Sequence, residues 1–225
     1  MTDHASAYRN VRVRMTDLLL AAGPDDLART VPACPDWTVH DLLAHVVGIP
    51  EAIVGGDFPS GDLQAWLDGL VAERRTVPVP ELCDRWAALD DTLGPVLEGA
   101  GLLLADVYVH EHDLRGALDR PGARDAAETA VVVPLALANL VNDLTAAGLA
   151  PLAVASGDQR WSSGDGDPGC TLEVDVWEAV RILASRRTEA EILAAPATGD
   201  VGAYAAVIAA HSPLPAASLG ERAGA

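Results

Sequence analysis

The apolar residues in the first two thirds of the chain recur at intervals of three and four positions, the period of an amphipathic helix. The pattern is clear in residues 11–22, before Gly and Pro interrupt it. After Gly148 the character changes, and residues 171–176 alternate apolar and polar, as in a half-buried strand. This order predicts an N-terminal helical bundle, residues 1–148, and a small C-terminal α/β domain, residues 149–225.

Local signals give the approximate bounds of the elements. Thr38, followed by Asp41 three positions later, resembles a capping box at the start of a helix. Pro50 is expected to kink or stop that helix, although one more turn could follow. Residues 23–37 and 157–169 read as loops. We expect helices at 5–22, 38–49 with a turn to 54, 62–75, 81–97, 102–118, 126–147, 177–186 and 201–210, and strands at 152–155 and 171–176.

Charge and composition exclude several classes of function. The formal net charge is −18 and the sequence contains no Lys, which excludes Schiff-base catalysis and a phosphate-loop lysine. An acidic surface repels phosphate backbones, so no nucleic-acid partner is expected. The N-terminus lacks a signal-like apolar core, and no uninterrupted apolar run of about 18 residues suggests a membrane span. Three widely spaced cysteines suit a reducing compartment, and we expect a cytoplasmic protein.

Residues 102–118 place charged groups among apolar ones. On a helix, Asp106, His110 and Asp113 share a face with leucines and valines. Leaving such groups unpaired against a core would cost several kcal/mol, so something must compensate for them. The opposite face is expected to point outward and to hold Tyr108, Glu111, His112, Arg115 and Asp119.

A metal ion is one candidate for that compensation. Asp106 and His110 are four positions apart, which lets both side chains reach one ion. His45, at the flank of the second helix's apolar stripe, is the candidate third ligand. Two histidines and one carboxylate with an open position are typical of catalytic zinc sites, and Asp113 could orient a ligand. The alternative is that these histidines are hydrogen-bonded core residues without a metal.

Three segments of the chain resemble a known family. Residues 31–45, VPACPDWTVHDLLAH, resemble the loop-and-helix signature of the mycothiol-dependent maleylpyruvate isomerase family, within the DinB-like group of helical bundles. Residues 106–113, DVYVHEHD, resemble its second signature. The run 183–187 and the pair 199–200 are similar to its smaller α/β domain. The resemblance implies a DinB-like four-helix bundle with a small C-terminal α/β domain.

The resemblance also implies cofactors and chemistry. It implies zinc, or another divalent metal, on His45, Asp106 and His110, and the thiol cofactor mycothiol. Such a site favours a thiolate, a soft nucleophile at neutral pH. In an isomerase the thiol would add to a cis double bond, allow rotation and leave; in an S-transferase it would stay on the electrophile. The expected substrate is a small electrophile similar to maleylpyruvate, and the expected assembly is a monomer or homodimer.

Other residues are candidates for contact with cofactor or substrate. Arg186 and Arg187 could bind an anionic substrate, although arginines at helix ends also serve the helix dipole or a surface carboxylate. Trp37 could line the cofactor pocket with Asp113 nearby, or act as a hydrophobic anchor. Cys34 precedes the second helix, and its alternative role is a small buried thiol.

One departure from the family pattern keeps two other functions open. The family usually has Glu where this chain has Asp106, which is shorter by one methylene group. Weaker or absent metal binding would make the protein a metal-free binding or interaction protein on the same fold. A third alternative is a metal-dependent hydrolase that needs no thiol.

Overall fold

The structure is a computed structural model that describes residues 3–99 and 101–221. It divides into two compact units, Met1–Gly122 and Ala123–Ala225. The two units meet at Gly122 and Ala123, whereas the sequence predicted a boundary at Gly148. The helix predicted at 126–147 therefore belongs to the second unit. The fold is mostly helical with a small mixed sheet near the C-terminus. The four-helix, DinB-like form of the bundle stays a prediction.

Helices dominate the first unit. Two long ones organise it: α1 packs against α5, α6 and α7, and α3 packs against α4, α5 and α7. Their apolar faces, with Val11 and Met15 on α1 and Leu42 and Leu43 on α3, are completely buried. The elements are α1 His4–Leu20, α2 Pro24–Leu27, β1 Thr30–Val31, β2 Cys34–Thr38, α3 Val39–Val54, α4 Leu63–Arg74, α5 Val79–Ala87, α6 Asp90–Gly99 and α7 Leu102–Ala117.

Helix α3 begins where its sequence signal placed it. The Thr38 hydroxyl accepts from the backbone N–H of Asp41, and the Asp41 carboxylate accepts from the backbone N–H of Thr38, which confirms the capping box. Pro50 lies inside the helix, which continues to Val54. Packing of α3 against other helices, chiefly α4, α5 and α7, offsets a proline cost of about 3 kcal/mol.

Two expectations about the bounds of the elements in the first unit were wrong. The segment before α3 is not only a loop, because β1 and β2 pair antiparallel with Thr30 opposite Thr38. The single helix expected at 81–97 is two helices, α5 and α6. Asp90 begins α6, where a carboxylate is favoured, and accepts hydrogen bonds from Arg12 of α1 at 2.7 and 2.9 Å.

Helix α7 is buried on nearly every side, which corrects its expected outward face. Tyr108, Glu111 and His112 are at most 4% exposed. Helical periodicity sorts residues by polarity, whereas here an arginine of another helix satisfies the buried carboxylate of Glu111. Glu111 accepts from Arg14 of α1 at 2.7 and 2.8 Å and from Arg115 at 2.9 and 3.0 Å. His112, which was expected to be solvated, is buried.

The second unit is a small mixed sheet with helices. Its strands lie in the order β4-β3-β5-β6, with β3 and β5 parallel and the other pairs antiparallel. The expectation missed β4, α10 and β6, which are short or rich in Gly, Ser and Asp. The elements are α8 Ala127–Ala146, β3 Leu152–Ser156, β4 Gln159–Ser162, β5 Cys170–Glu173, α9 Val176–Leu183, α10 Glu189–Leu193, β6 Ala197–Gly199 and α11 Val201–His211.

Helix α8 has the length and mean hydropathy of a helix that could cross a membrane. A helix in the core of a domain passes the same test. In the structure α8 packs against α9 and α11 and buries Val133, Leu137 and Leu140. The absence of a membrane partner stays a prediction.

Candidate metal centre

Helices α3 and α7 bring the three predicted ligands together. His45 lies on α3, Asp106 and His110 lie one turn apart on α7, and the two helices pack against each other. One potential ligand atom from each of the three side chains lies within 4.8 Å of the others. Two residues spaced one turn apart on α7 and one histidine on α3 therefore lie in a single cluster.

The distances within the cluster suit a shared ion better than hydrogen bonds. Asp106 Oδ1 is 3.5 Å from His45 Nε2 and 3.5 Å from His110 Nε2. A hydrogen bond between such atoms is about 2.7–3.2 Å long. Ligands about 2.0–2.1 Å from a tetrahedral zinc ion are separated from one another by about 3.3 Å. The two distances from Asp106 are thus close to the spacing of neighbouring ligands around a divalent ion.

The burial of His45 supports the same conclusion. Its side chain is 5% exposed. Neither of its ring nitrogens has a hydrogen-bond partner among residues 3–99 and 101–221. Burying an unsatisfied polar group costs free energy, and a metal ligand is one way to recover it. The side chain of Asp106 is 34% exposed, so the cluster opens toward solvent on the carboxylate side.

Asp113 holds the His110 ring in place. Its carboxylate, which is completely buried, lies 3.0 Å from His110 Nδ1. An ionised carboxylate can only accept hydrogen bonds. Nδ1 of His110 therefore carries a proton and donates a hydrogen bond to Asp113. That leaves Nε2 directed toward Asp106 as the nitrogen available to an ion. This carboxylate–histidine arrangement is the usual way in which proteins orient a metal-binding imidazole.

The electrostatics of the cluster favour a positive charge. Burial acts to raise the pKa of Asp106, but the charges of His110 and His45 outweigh it and hold that pKa well below its usual range. Burial acts to lower the pKa of His110, but the charge of Asp106 and the hydrogen bonds that His110 makes with Asp106, Asp113 and Cys34 raise it well above the usual value. A proton or a metal cation is therefore stabilised here.

Trp37 forms one wall of the cluster. Its ring centroid lies 4.6 Å from that of His45 and 6.1 Å from that of His110. The two imidazoles lie edge to face, 4.9 Å apart. Strand β2 positions this tryptophan directly before α3. Its predicted contact with a cofactor remains a prediction.

Cys34 also reaches the cluster. Cys34, His110 and Asp113 form a second group whose potential ligand atoms lie within 4.8 Å of one another, and the thiol is half-buried. The sequence indicated only that Cys34 precedes the second helix. Its proximity to α7 depends on the pairing of β1 with β2 and on the contact between β1 and α7, neither of which the sequence predicted.

The predicted substrate arginines lie in the second unit. Arg187 is 2% exposed, and its guanidinium contacts Glu178 and Glu221 at 2.7 and 2.8 Å. Arg186 is half-buried and donates to the backbone oxygen of Ala184. A role for either residue in substrate binding stays a prediction.

Comparison with known families adds one finding. The family model for the mycothiol maleylpyruvate isomerase N-terminal domain matches residues 8–88. The matched segment includes Cys34, Trp37 and His45 but ends before α7, which carries Asp106 and His110. No curated protein and no solved structure matches the chain. Residues 8–88 of this chain are therefore similar to the mycothiol maleylpyruvate isomerase N-terminal domain.

Proposed function

We propose that this protein is a zinc- and mycothiol-dependent enzyme, an isomerase or a thiol S-transferase, that acts on a small electrophile. The family of residues 8–88 supports a mycothiol-related function on a DinB-like fold. The observation that supports a bound metal is that Asp106 Oδ1 lies 3.5 Å from the Nε2 atom of each imidazole. Keto acids similar to maleylpyruvate are the first substrates to test.

His45, Asp106 and His110 would hold the metal, with another divalent ion as the alternative to zinc. Two neutral imidazoles and one carboxylate leave a divalent ion with one net positive charge. When bound, such an ion lowers the pKa of a coordinating thiol and supplies a thiolate at neutral pH. Although Asp106 is shorter than the glutamate usual in the family, its Oδ1 lies equally close to both imidazoles.

The surrounding residues would keep the donor set in one arrangement. Asp113 fixes the tautomer and orientation of His110. Trp37 lies against both imidazoles and shields them from water, which strengthens electrostatic interactions within the site. The exposed side of Asp106 is the side from which a thiol or substrate would approach. We further propose a cytoplasmic protein, monomeric or homodimeric, without nucleic-acid or membrane partners.

Metal analysis of the purified protein tests the centre. We expect about one zinc per chain in the wild type, as in a mononuclear site. His45→Ala and His110→Ala should lose the metal but keep their helical circular dichroism. His211→Ala is the control, because that histidine lies outside the cluster and contacts Asp143. A folded wild type that takes up no zinc would support the metal-free binding protein instead.

A thiol-dependence assay separates the enzymatic alternatives. Isomerisation of a maleylpyruvate-like substrate should require both metal and mycothiol. A stable thioether product would identify a transferase. Turnover of ester or amide substrates without any thiol would instead indicate the metal-dependent hydrolase. Asp106→Glu, which restores the family's usual ligand, should retain the metal, and its loss would contradict the assigned ligand set.

A further inference from the structure

A second group of potential metal ligands lies on the other side of the His110 ring. It consists of Cys34, His110 and Asp113, whose potential ligand atoms all lie within 4.8 Å of one another. Because Asp113 Oδ2 is 3.0 Å from His110 Nδ1, Nδ1 is the ring nitrogen that belongs to this group. The candidate metal centre uses Nε2 of the same ring, 3.5 Å from Asp106. We call Cys34, His110 and Asp113 the cysteine set.

The fold of the first unit builds the cysteine set from two segments. Cys34 begins β2, which pairs with β1, and β1 contacts α7. His110 and Asp113 are three positions apart on α7, so their side chains share a face. Those side chains are 7% and 0% exposed, whereas Cys34 is half-buried. Among the residues that the structure describes, neither Cys83 nor Cys170 belongs to a group of this kind.

The donor atoms of the two groups suit different ions. The metal centre offers two imidazole nitrogens and one carboxylate oxygen, whereas the cysteine set replaces one imidazole with sulfur. Thiolate ligands select soft cations such as copper(I), and cadmium is a soft divalent ion of the same preference. The distance of 3.0 Å from Asp113 to Nδ1 is already close to the spacing of about 3.3 Å between neighbouring ligands of a tetrahedral ion. The cysteine set therefore matches a soft ion.

The two groups compete for one imidazole ring. A neutral imidazole carries a proton on one nitrogen and a lone pair on the other. With an ion on Nε2, the proton is on Nδ1 and is donated to Asp113. With an ion on Nδ1, the proton is on Nε2, which faces the Asp106 carboxylate as its acceptor. A neutral His110 can therefore serve only one of the two groups at a time.

We propose that Cys34, His110 and Asp113 form a second metal position, selective for soft cations, and that its occupation withdraws His110 from the metal centre. On binding, the Cys34 thiol loses its proton to solvent and its sulfur bonds to the ion as a thiolate. The Asp113 carboxylate exchanges its hydrogen bond with Nδ1 for a bond to the same ion. This second position does not depend on the proposed reaction, and it shares only His110 with the metal centre.

Cadmium added to the purified, zinc-loaded protein without any added thiol tests the second position. We expect a thiolate-to-cadmium charge-transfer absorption that saturates at about one cadmium per chain. Cys34→Ser should abolish the absorption but still bind zinc. His45→Ala is the matched variant with the opposite result, because His45 belongs only to the metal centre. It should lose zinc and keep the cadmium absorption.

Two further measurements address Cys34 itself and the exclusion at His110. Cadmium should slow alkylation of Cys34, measured by mass spectrometry of its peptide, whereas zinc should not. Added zinc should raise the cadmium concentration that gives half of the absorption in the wild type but not in His45→Ala. Asp106→Asn replaces His45→Ala if that variant does not fold, because Asp106 also belongs only to the metal centre.

Several results would overturn the proposal. A wild type without thiolate absorption would do so, as would absorption that Cys34→Ser retains, since the cadmium would then lie on Cys83 or Cys170. Loss of the absorption in folded His45→Ala or Asp106→Asn would make Cys34 a ligand of one joint centre, and would overturn a separate position. Simultaneous binding of zinc and cadmium to the same chain would overturn the exclusion at His110.

Discussion

His110 is held from both sides of its ring, and this is the most informative feature at the scale of single residues. Nδ1 donates to the buried Asp113, and Nε2 faces Asp106 at 3.5 Å. The spacing of Asp106 and His110 on one helix was readable from the sequence. The role of Asp113 in fixing the ring was predictable only as a possibility, because it depends on which side-chain rotamers the packing of α7 allows.

Replacing Asp113 with Asn should weaken metal binding while leaving the three ligands in place. The amide accepts less strongly than the carboxylate and can turn its NH2 group toward Nδ1. We expect zinc affinity to fall by about 10–100-fold, as is usual when a ligand-orienting carboxylate is removed. Competition with a chromophoric chelator measures the affinity. Asp84→Asn, at an exposed position on α5, is the control, and equal affinities for the two variants would contradict the role of Asp113.

At the scale of elements, Glu51 joins three helices of the first unit. It lies on α3 and accepts from Arg74 of α4 at 2.9 Å and from Arg85 of α5 at 2.7 Å on each oxygen. Burial acts to raise the pKa of Glu51, but the two arginines outweigh burial and hold that pKa below its usual value of 4.5. The ion pairs therefore favour folding when Glu51 is charged.

Glu51→Gln should destabilise the protein by about 2 kcal/mol at pH 7, since it removes charge-assisted bonds to partly buried arginines. Because the folded pKa is lowered, the contribution of Glu51 is complete above about pH 4.5 and disappears as the pH falls through the folded pKa. Urea unfolding at several pH values should show the two proteins converging in acid. Glu73→Gln is the control, because Glu73 is 73% exposed beside Arg74 and should cost under about 1 kcal/mol. A difference that grows in acid would contradict this account.

The elements also show which sequence signals were sufficient. Helices α1, α3, α4, α7 and α8 were predictable because each repeats its apolar residues at the helical period or carries a cap. The β1–β2 pair was not, since two strands of 2 and 5 residues have no period to detect. The break between α5 and α6 follows from contacts with α1, which the local sequence does not contain.

At the scale of the whole molecule, we expect metal binding to stabilise only one of the two compact units. The candidate ligands all lie in the first unit, Met1–Gly122. Zinc at about 100 times its dissociation constant stabilises a folded unit that binds it by about 2.7 kcal/mol. Hydrogen exchange should therefore slow in peptides from α3 and α7 but not in peptides from β3, β5 and α9. His45→Ala should abolish the effect, and equal protection in both units would contradict the assignment of the metal to the first.

The amino-acid sequence was enough to assign the helical character of the first unit, the mixed character of the last third, the family resemblance and the three candidate ligands. All of these depend on local period, short motifs or spacing along one helix. The burial of Glu111, the approach of Cys34 to His110, and the ion pairs of Glu221 with Arg181 and Arg187 became apparent from the folded chain. Each joins residues from separate segments: Glu111 and Arg14 are 97 positions apart, and Arg181 and Glu221 are 40. Polar groups are buried where distant partners satisfy them, and those partners meet through the packing of whole elements rather than through any local pattern.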